Sequence, residues 1–294
     1  MRRWPALVLA AAIPLTAACA PASMGTPDQA SSGPRIVAAF YPLQYAAEQV
    51  GGSSVSVTNL TQSGVEPHDL ELSAQQVGEI ANADLVLYVK GFQPAVDEAI
   101  AQQAPDRAID VSAAISRLTL DGAADPHVWL DPSNMSTIGT AIAERLAEIS
   151  PDDAASYAKN SAALTGTMSA LSSDYSAALT NCRTRTMVVS HDAFAYLAKA
   201  FGLTQVGISG LSPEAEPSPA RIREVADVVA KENVNTIYYE TLVDPKVAQT
   251  IADETGASAQ KLDPLEGLQP GATGDYATVM RENLATLAKG QGCS

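Results

Sequence analysis

The sequence predicts an α/β protein built as two (β/α) lobes with parallel sheets, joined by one long backbone helix. Three observations carry that prediction. Short, continuously apolar β-rich runs alternate with helix-like stretches, the pattern of parallel strands covered on both faces. The alternation occurs twice, once before residue 150 and again after residue 181. Between the two runs, residues 151–179 place Ala, Leu, Met and Tyr at helical spacing with only Gly166 to weaken them. A helix of that length is roughly twice the usual globular size. Apolar heptads are not sustained far enough for a coiled coil, so the segment reads as a rigid rod between lobes.

In chain order, RIVAAF (35–40), SVSVTNL (54–60) and DLVLYVK (84–90) are the strands of the first lobe, and SAQQVGEIANA is one of its helices. Pro132 is placed to open the helix NMSTIGTAIAERLAEIS, and Pro151 restarts the next one. In the second lobe the strand RTMVVS (185–190) runs into the helix DAFAYLAKAFG, which stops at Gly202. Then follow LTQVGIS, the helix SPARIREVADVVAKENV and the strand TIYYE (236–240). The helix KVAQTIADETG, the short strand ASAQKL and the terminal helix DYATVMRENLATLAK complete the lobe. The expected boundaries are 1–18 leader, 19–34 tether, 35–150 first lobe, 151–180 linking helix and 181–294 second lobe.

The N-terminus carries a secretory signal pattern: Arg2 and Arg3, the apolar run ALVLAAAIPL, then small residues up to Cys19. LTAACA resembles a lipobox with Thr16 where an aliphatic residue is usual, so Cys19 is expected to carry lipid. The competing expectation is an ordinary cut near Ala20, which Pro21 disfavours. The Ala-, Ser-, Pro- and Gly-rich stretch up to Pro34 suits a flexible tether at a membrane surface. No other segment is long and apolar enough to cross a bilayer, which points to an extracytoplasmic body. The net charge is −15, and losing the two leader arginines leaves 16 basic against 33 acidic residues. That balance argues against nucleic acid and against adhesion to anionic headgroups. With Cys19 set aside, Cys182 and Cys293 remain, and in an oxidising compartment such a pair is expected to be bridged.

The chain has three histidines, each displayed in its own string: VEPHDLEL (His68), DPHVWLDP (His127) and VVSHDAF (His191). Imidazole is the commonest transition-metal ligand near neutral pH. Ligands of open α/β sheets bind beyond the carboxyl ends of the strands. His68 follows one strand, His191 ends another, and His127 stands in a loop stiffened by Pro126 and Pro132. The three converge, on this reading, in the cleft between the lobes. Asp263 in KLDPLEGL, after a strand and before a proline, is the expected fourth ligand. Glu66, Asp69, Asp131 and Glu240 are expected to orient imidazole N–H groups instead.

VEPHDLELS, DPHVWLDP, VVSHDAFAYLAKAFGL, SPEAEPSP and LDPLEGL, in this order, resemble the zinc/manganese solute-binding proteins of bacterial ABC importers. The likeness covers nearly the whole mature chain. It implies metal held between two lobes on a long helix, ligation by His68, His127, His191 and Asp263, and delivery of the metal to a membrane permease. Many zinc members carry a long His- and acid-rich loop before the second motif; here only LTLDGAADPH occupies that place. Manganese-specific relatives carry a glutamate where His191 stands, so three imidazoles point to one Zn2+ per chain. The expected protein is a monomeric zinc-capture subunit and not an enzyme. A manganese carrier is the first alternative. A zinc hydrolase is disfavoured because HExxH is missing and four protein ligands leave no position for water. A surface adhesin is the third reading, for which the sequence offers no binding patch.

Overall fold

The computed structural model describes residues 33–294. The leader, Cys19 and all but the last two residues of the tether lie outside the described residues. The first sheet consists of β1 (Arg35–Ala38), β2 (Ser56–Asn59), β3 (Leu85–Tyr88) and β4 (Ala108–Asp110), all parallel, in the order β2-β1-β3-β4. The second consists of β7 (Thr186–Val189), β8 (Thr204–Gly207), β9 (Thr236–Tyr239) and β10 (Ser258–Lys261), in the order β10-β9-β7-β8. Both sheets thus share one topology: the second strand pairs on one side of the first, and the third and fourth build out on the other. Between them, β5 (Thr119–Leu120) and β6 (Ala123–Ala124) form a small antiparallel hairpin.

Composition explains which strands are central. The sequences IVA of β1, LVL of β3, MVV of β7 and IYY of β9 are almost wholly buried and occupy the inner positions. The edge strands SVTN, AID, TQVG and SAQK mix polar and small residues and stay partly exposed. Polar edges discourage pairing with another chain.

The helices are α1 (Tyr41–Gly51), α2 (Ala74–Asn82), α3 (Pro94–Gln103), α4 (Pro132–Ile149), α5 (Ala154–Ala178), α6 (Ala195–Phe201), α7 (Pro219–Lys231), α8 (Lys246–Thr255) and α9 (Tyr276–Gly290). Starts and stops follow local chemistry. Ser73 and Gln76 make a reciprocal capping box on α2, and Asp131, Ser218 and Asp275 each accept an N–H of the first turn of α4, α7 and α9. The left-handed Gly202 and Gly256 end α6 and α8. Two helices and one strand of the first lobe, α1, α3 and β4, and the β5–β6 hairpin are additions to the elements read from sequence. The expected linking helix is present as a short 3₁₀ turn, Pro151–Asp153, followed by the 25 residues of α5. It buries Tyr157, Ser161, Leu164, Met168, Leu171 and Tyr175, a seam of alternating three- and four-residue spacing. This seam packs along α4, against α1 of the first lobe and against α9 of the second.

A single apolar core runs from Ile36, Leu87 and Trp129 through Leu164 and Met168 to Met187, Tyr238 and Met280. A second core covers the opposite face of the second sheet, with Val188, Ile237, Val225 and Ile251. Successive residues of β7 therefore point into different cores, as the period of two requires. Cys182 and Cys293 are bridged across 111 residues, tying the end of α9 to the chain just before β7. Among the described residues no helix is long and apolar enough to cross a membrane.

Candidate metal centre

All the site residues lie at or beyond the carboxyl ends of strands, where parallel sheets present their loops. His68 is in the loop from β2 to α2. His127 follows the β5–β6 hairpin and leads into the 3₁₀ turn Val128–Leu130. His191 comes just after β7, Glu240 directly follows β9, and Glu266 lies in the loop from β10 to α9. One ligand atom from each of His68, His127, His191 and Glu266 lies within 4.8 Å of all the others.

The spacing is tight. Glu266 Oε1 is 3.4 Å from His68 Nε2, 3.2 Å from His127 Nε2 and 3.1 Å from His191 Nε2. His191 Nε2 is 3.3 Å from His127 Nε2. Around a tetrahedral ion with bonds of about 2.0–2.1 Å, donor atoms stand about 3.3–3.4 Å apart. Two imidazole nitrogens this close share either a proton or a cation, since two lone pairs facing each other repel. The donor set and its spacing therefore fit a small divalent ion of borderline softness.

The centre is sealed. His127, His191 and Glu266 are buried, and only the His68 side chain, 10% exposed, reaches toward solvent. Phe40, Phe92 and Trp129 wall the first-lobe side, with the edge of the Phe92–His68 pair closing to 4.6 Å between centroids. Trp129 also carries a structural bond, its indole N–H donating to the Pro264 carbonyl at 2.8 Å. In turn the Tyr276 hydroxyl donates to the Trp129 carbonyl. The Tyr196 hydroxyl accepts the Leu118 N–H and donates to the Asp125 carbonyl. These contacts brace the His127 loop from the second lobe.

Two of the imidazoles are held from behind by carboxylates. His127 Nδ1 is 2.8 Å from Asp125 Oδ1, which also accepts the His127 backbone N–H. His191 Nδ1 is 2.9 Å from Glu240. With Nδ1 engaged, Nε2 of each ring is left facing the centre. Electrostatics follow. Burial alone pushes the His191 imidazole down, but the Glu266 and Glu240 carboxylates outweigh it and raise it to about 10. His127 is likewise raised, burial being overcome by Asp125 and Glu266. His68 lies below its ordinary value because burial dominates over its bond to Glu266. Burial works to raise Glu266, yet the three imidazoles hold it well below the usual carboxylate range. The metal-free centre thus stores protons that a cation must displace.

The fourth member of the cluster is Glu266, where the sequence leads to Asp263 being expected. Asp263 is buried, but its oxygens are engaged away from the cluster: Oδ1 accepts the Leu265 N–H at 2.9 Å, and Oδ2 accepts the Thr241 hydroxyl. Its own N–H and carbonyl are both held by the Asn283 amide. The turn so fixed puts Leu265 at φ +57, a left-handed conformation unusual for leucine, and delivers Glu266 into the centre. Asp263 shapes the loop that Glu266 uses. Glu240 stands where expected, behind an imidazole. Glu66 accepts the backbone N–H of His68 and of Asp69, and burial, partly offset by the His68 N–H, raises it to about 7. Asp131 caps α4, and Asp69 is exposed. Sequence reasoning missed Glu266 and Asp125. Both lie inside strings already singled out, LDPLEGL and DPHVWLDP, so the available signal was a second carboxylate in each.

Residues 36–290 match the family model described as the periplasmic component A of the zinc-uptake complex, ZnuA. The zinc-binding protein AdcA of Streptococcus pyogenes is 31% identical over 86% of the chain and 55% of its own length. The chain thus spans about half the length of that relative. The high-affinity zinc uptake system protein ZnuA of Bacillus subtilis is 32% identical over 97% of both chains. Among solved structures, the Zn(II)-bound ZnuA-like domain of Streptococcus pneumoniae AdcA superposes with a TM-score of 0.78 at 34% identity, covering 88% of this chain and 99% of that one.

Proposed function

The chain belongs to the family of periplasmic zinc-uptake components, a family of solute-binding proteins and not of enzymes, and from that premise we propose that it captures one Zn2+ and delivers it to an ABC permease. The observation that carries the reading is the donor spacing: three Nε2 atoms at 3.1–3.4 Å from one carboxylate oxygen. His68, His127, His191 and Glu266 are the ligands in this proposal. Three neutral imidazoles with one carboxylate suit zinc, whereas manganese favours a harder, oxygen-rich set. Manganese is also the weakest first-row divalent competitor for nitrogen ligands. Capture needs no chemistry on the ion, only its desolvation and the release of stored protons.

The lobes are taken as residues 35–150 and 181–294, with 151–180 linking them. Attachment to a membrane through lipid on Cys19 belongs to the same proposal. Cys19→Ser is expected to move the protein from the membrane fraction to the soluble one, because acyl chains supply the affinity. Unchanged fractionation contradicts the lipid anchor and leaves zinc capture untouched.

The test of the function is metal titration of the purified chain. One tight zinc per chain is expected, and His191→Glu is expected to weaken zinc binding far more than manganese binding. Tight manganese loading from a zinc-replete medium contradicts the zinc assignment.

A further inference from the structure

The two carboxylates behind the imidazoles differ from the other acidic groups near the centre. Asp125 is 2% exposed and Glu240 is 4% exposed. Neither forms an ion pair with a lysine or arginine among the described residues; their ion-pair partners are His127 and His191. Glu240 is the more isolated. Both of its oxygens lie 2.9 Å from His191 Nδ1, and Oε2 is buried with no hydrogen bond of its own. A buried carboxylate left in this state is strongly unfavourable unless positive charge is near. Its position is fixed by β9, and its partner ring by β7, which pairs with β9 through Val188–Ile237 and Val189–Tyr238. The two residues are thus delivered side by side by adjacent strands of one sheet. Asp125 reaches its ring by a different route, within one turn of its own loop.

We propose that Glu240, with Asp125 as its local counterpart, is a positioning residue for metal capture. Each accepts the Nδ1–H of its imidazole, fixes the tautomer that presents Nε2 to the ion, and strengthens that nitrogen as a donor by placing negative charge behind it. The inference rests on the zinc-site reading above and adds residues that touch no metal. Glu240 makes the larger contribution, because its carboxylate spends nothing on backbone N–H groups, whereas Asp125 also organises the His127 loop.

The experiment compares Glu240→Gln, Glu240→Ala and His191→Ala in the full chain. Zinc affinity is measured by competition with a chromophoric chelator, and the Co2+-loaded proteins are examined by visible absorption. Glu240→Gln keeps an acceptor for Nδ1–H and loses the charge, so a loss of about tenfold in zinc affinity with a tetrahedral Co2+ spectrum is expected. Glu240→Ala loses both and is expected to weaken zinc about a hundredfold and to alter the Co2+ bands. Thermal unfolding of each metal-free variant is recorded alongside. A purely structural role would lower the unfolding temperature and leave the affinity of the remaining folded protein and its Co2+ spectrum as in the parent; that result overturns the proposal. Unchanged affinity in both Glu240 variants overturns it too. His191→Ala separates the two readings: if it binds zinc like the parent, the zinc site itself is wrong, and if it fails while Glu240→Ala binds normally, only the positioning role falls.

Discussion

The two lobes share a strand order yet supply their halves of the metal centre differently. The first lobe offers His68 and His127 from loops, with no strand ending directly at either. The second offers His191 two residues past β7, with Glu240 at the exit of β9 holding it from behind, and Glu266 from the loop between β10 and α9. Loop-borne ligands need separate bracing, and the first lobe obtains it partly from its neighbour through Trp129, Tyr196 and Tyr276. His191, close to a strand exit, inherits the register of the sheet, and the Glu266 loop is braced by Asp263 and Asn283. The lesson is that equal topology does not give equal support at a shared site: His191 is held through strand pairing, whereas His68, His127 and Glu266 depend on loops.

The largest expected effect is on the carboxylate that the three imidazoles share. Glu266→Ala leaves three imidazoles facing one another without their shared carboxylate. Zinc affinity is expected to fall by roughly two to four powers of ten, from the roughly 3–5 kcal/mol lost when one partner of a buried charge set is removed. Calorimetric titration checks it, and a loss under tenfold would remove Glu266 from the ligand set.

Next comes the disulfide. It ties the end of α9 to the chain before β7 and involves none of the ligands, so Cys182→Ser should separate stability from binding. A closed loop of 111 residues implies about 4–5 kcal/mol of unfolding free energy by chain entropy. Denaturant unfolding of the metal-free protein should show most of that loss, with zinc affinity nearly unchanged.

Asp263→Ala tests the loop directly. The loss of the bonds from Leu265 N–H and Thr241 is expected to reduce stability by about 1–3 kcal/mol. Zinc affinity should fall less than in Glu266→Ala, since the ligand is kept but held less firmly. The reverse order of the two affinities would restore Asp263 as the ligand.

Step by step, the smallest effect is that of pH, although it accumulates over several units. His191 in the metal-free fold is raised to about 10, above the ordinary value of 6.5. Its contribution to the metal-free fold is therefore fully present below about 6.5 and is lost as pH rises through about 10. Metal binding runs the other way, because zinc must displace that proton. Affinity should drop about tenfold per pH unit for each proton displaced as pH falls below 10. Titration in buffers of different ionisation enthalpy should register at least one proton released near pH 8. Zero protons released would mean that His191 is neutral before zinc arrives.

How much of this was legible in the sequence depends on range. The inner strands were readable because IVA, LVL, MVV and IYY are apolar on both faces. The long helix was readable from length, although its buried seam was harder to see, since Ala and Ser also fill its outer faces. The edge strand AID and the hairpin around Gly122 left little hydrophobic pattern to find. The histidines were conspicuous as the chain's full complement. Asp263 misled for a physical reason: Asp before Pro after a strand marks a loop-shaping residue as readily as a ligand. Glu266, three residues later, has no distinguishing local pattern, and only the left-handed turn at Leu265 aims it at the centre. The His191–Glu240 pair spans 49 residues and is set by strand pairing, whereas Asp125 and His127 are two apart.

The most direct measurement of the central claim is anomalous diffraction at the zinc edge from crystals of the zinc-loaded protein. One strong peak per chain is expected, about 2.0–2.2 Å from Nε2 of His68, His127 and His191 and from a Glu266 oxygen, with Asp263 still turned to Leu265. A peak coordinated by Asp263 with Glu266 outside the shell, or no peak among the three histidines, would contradict it.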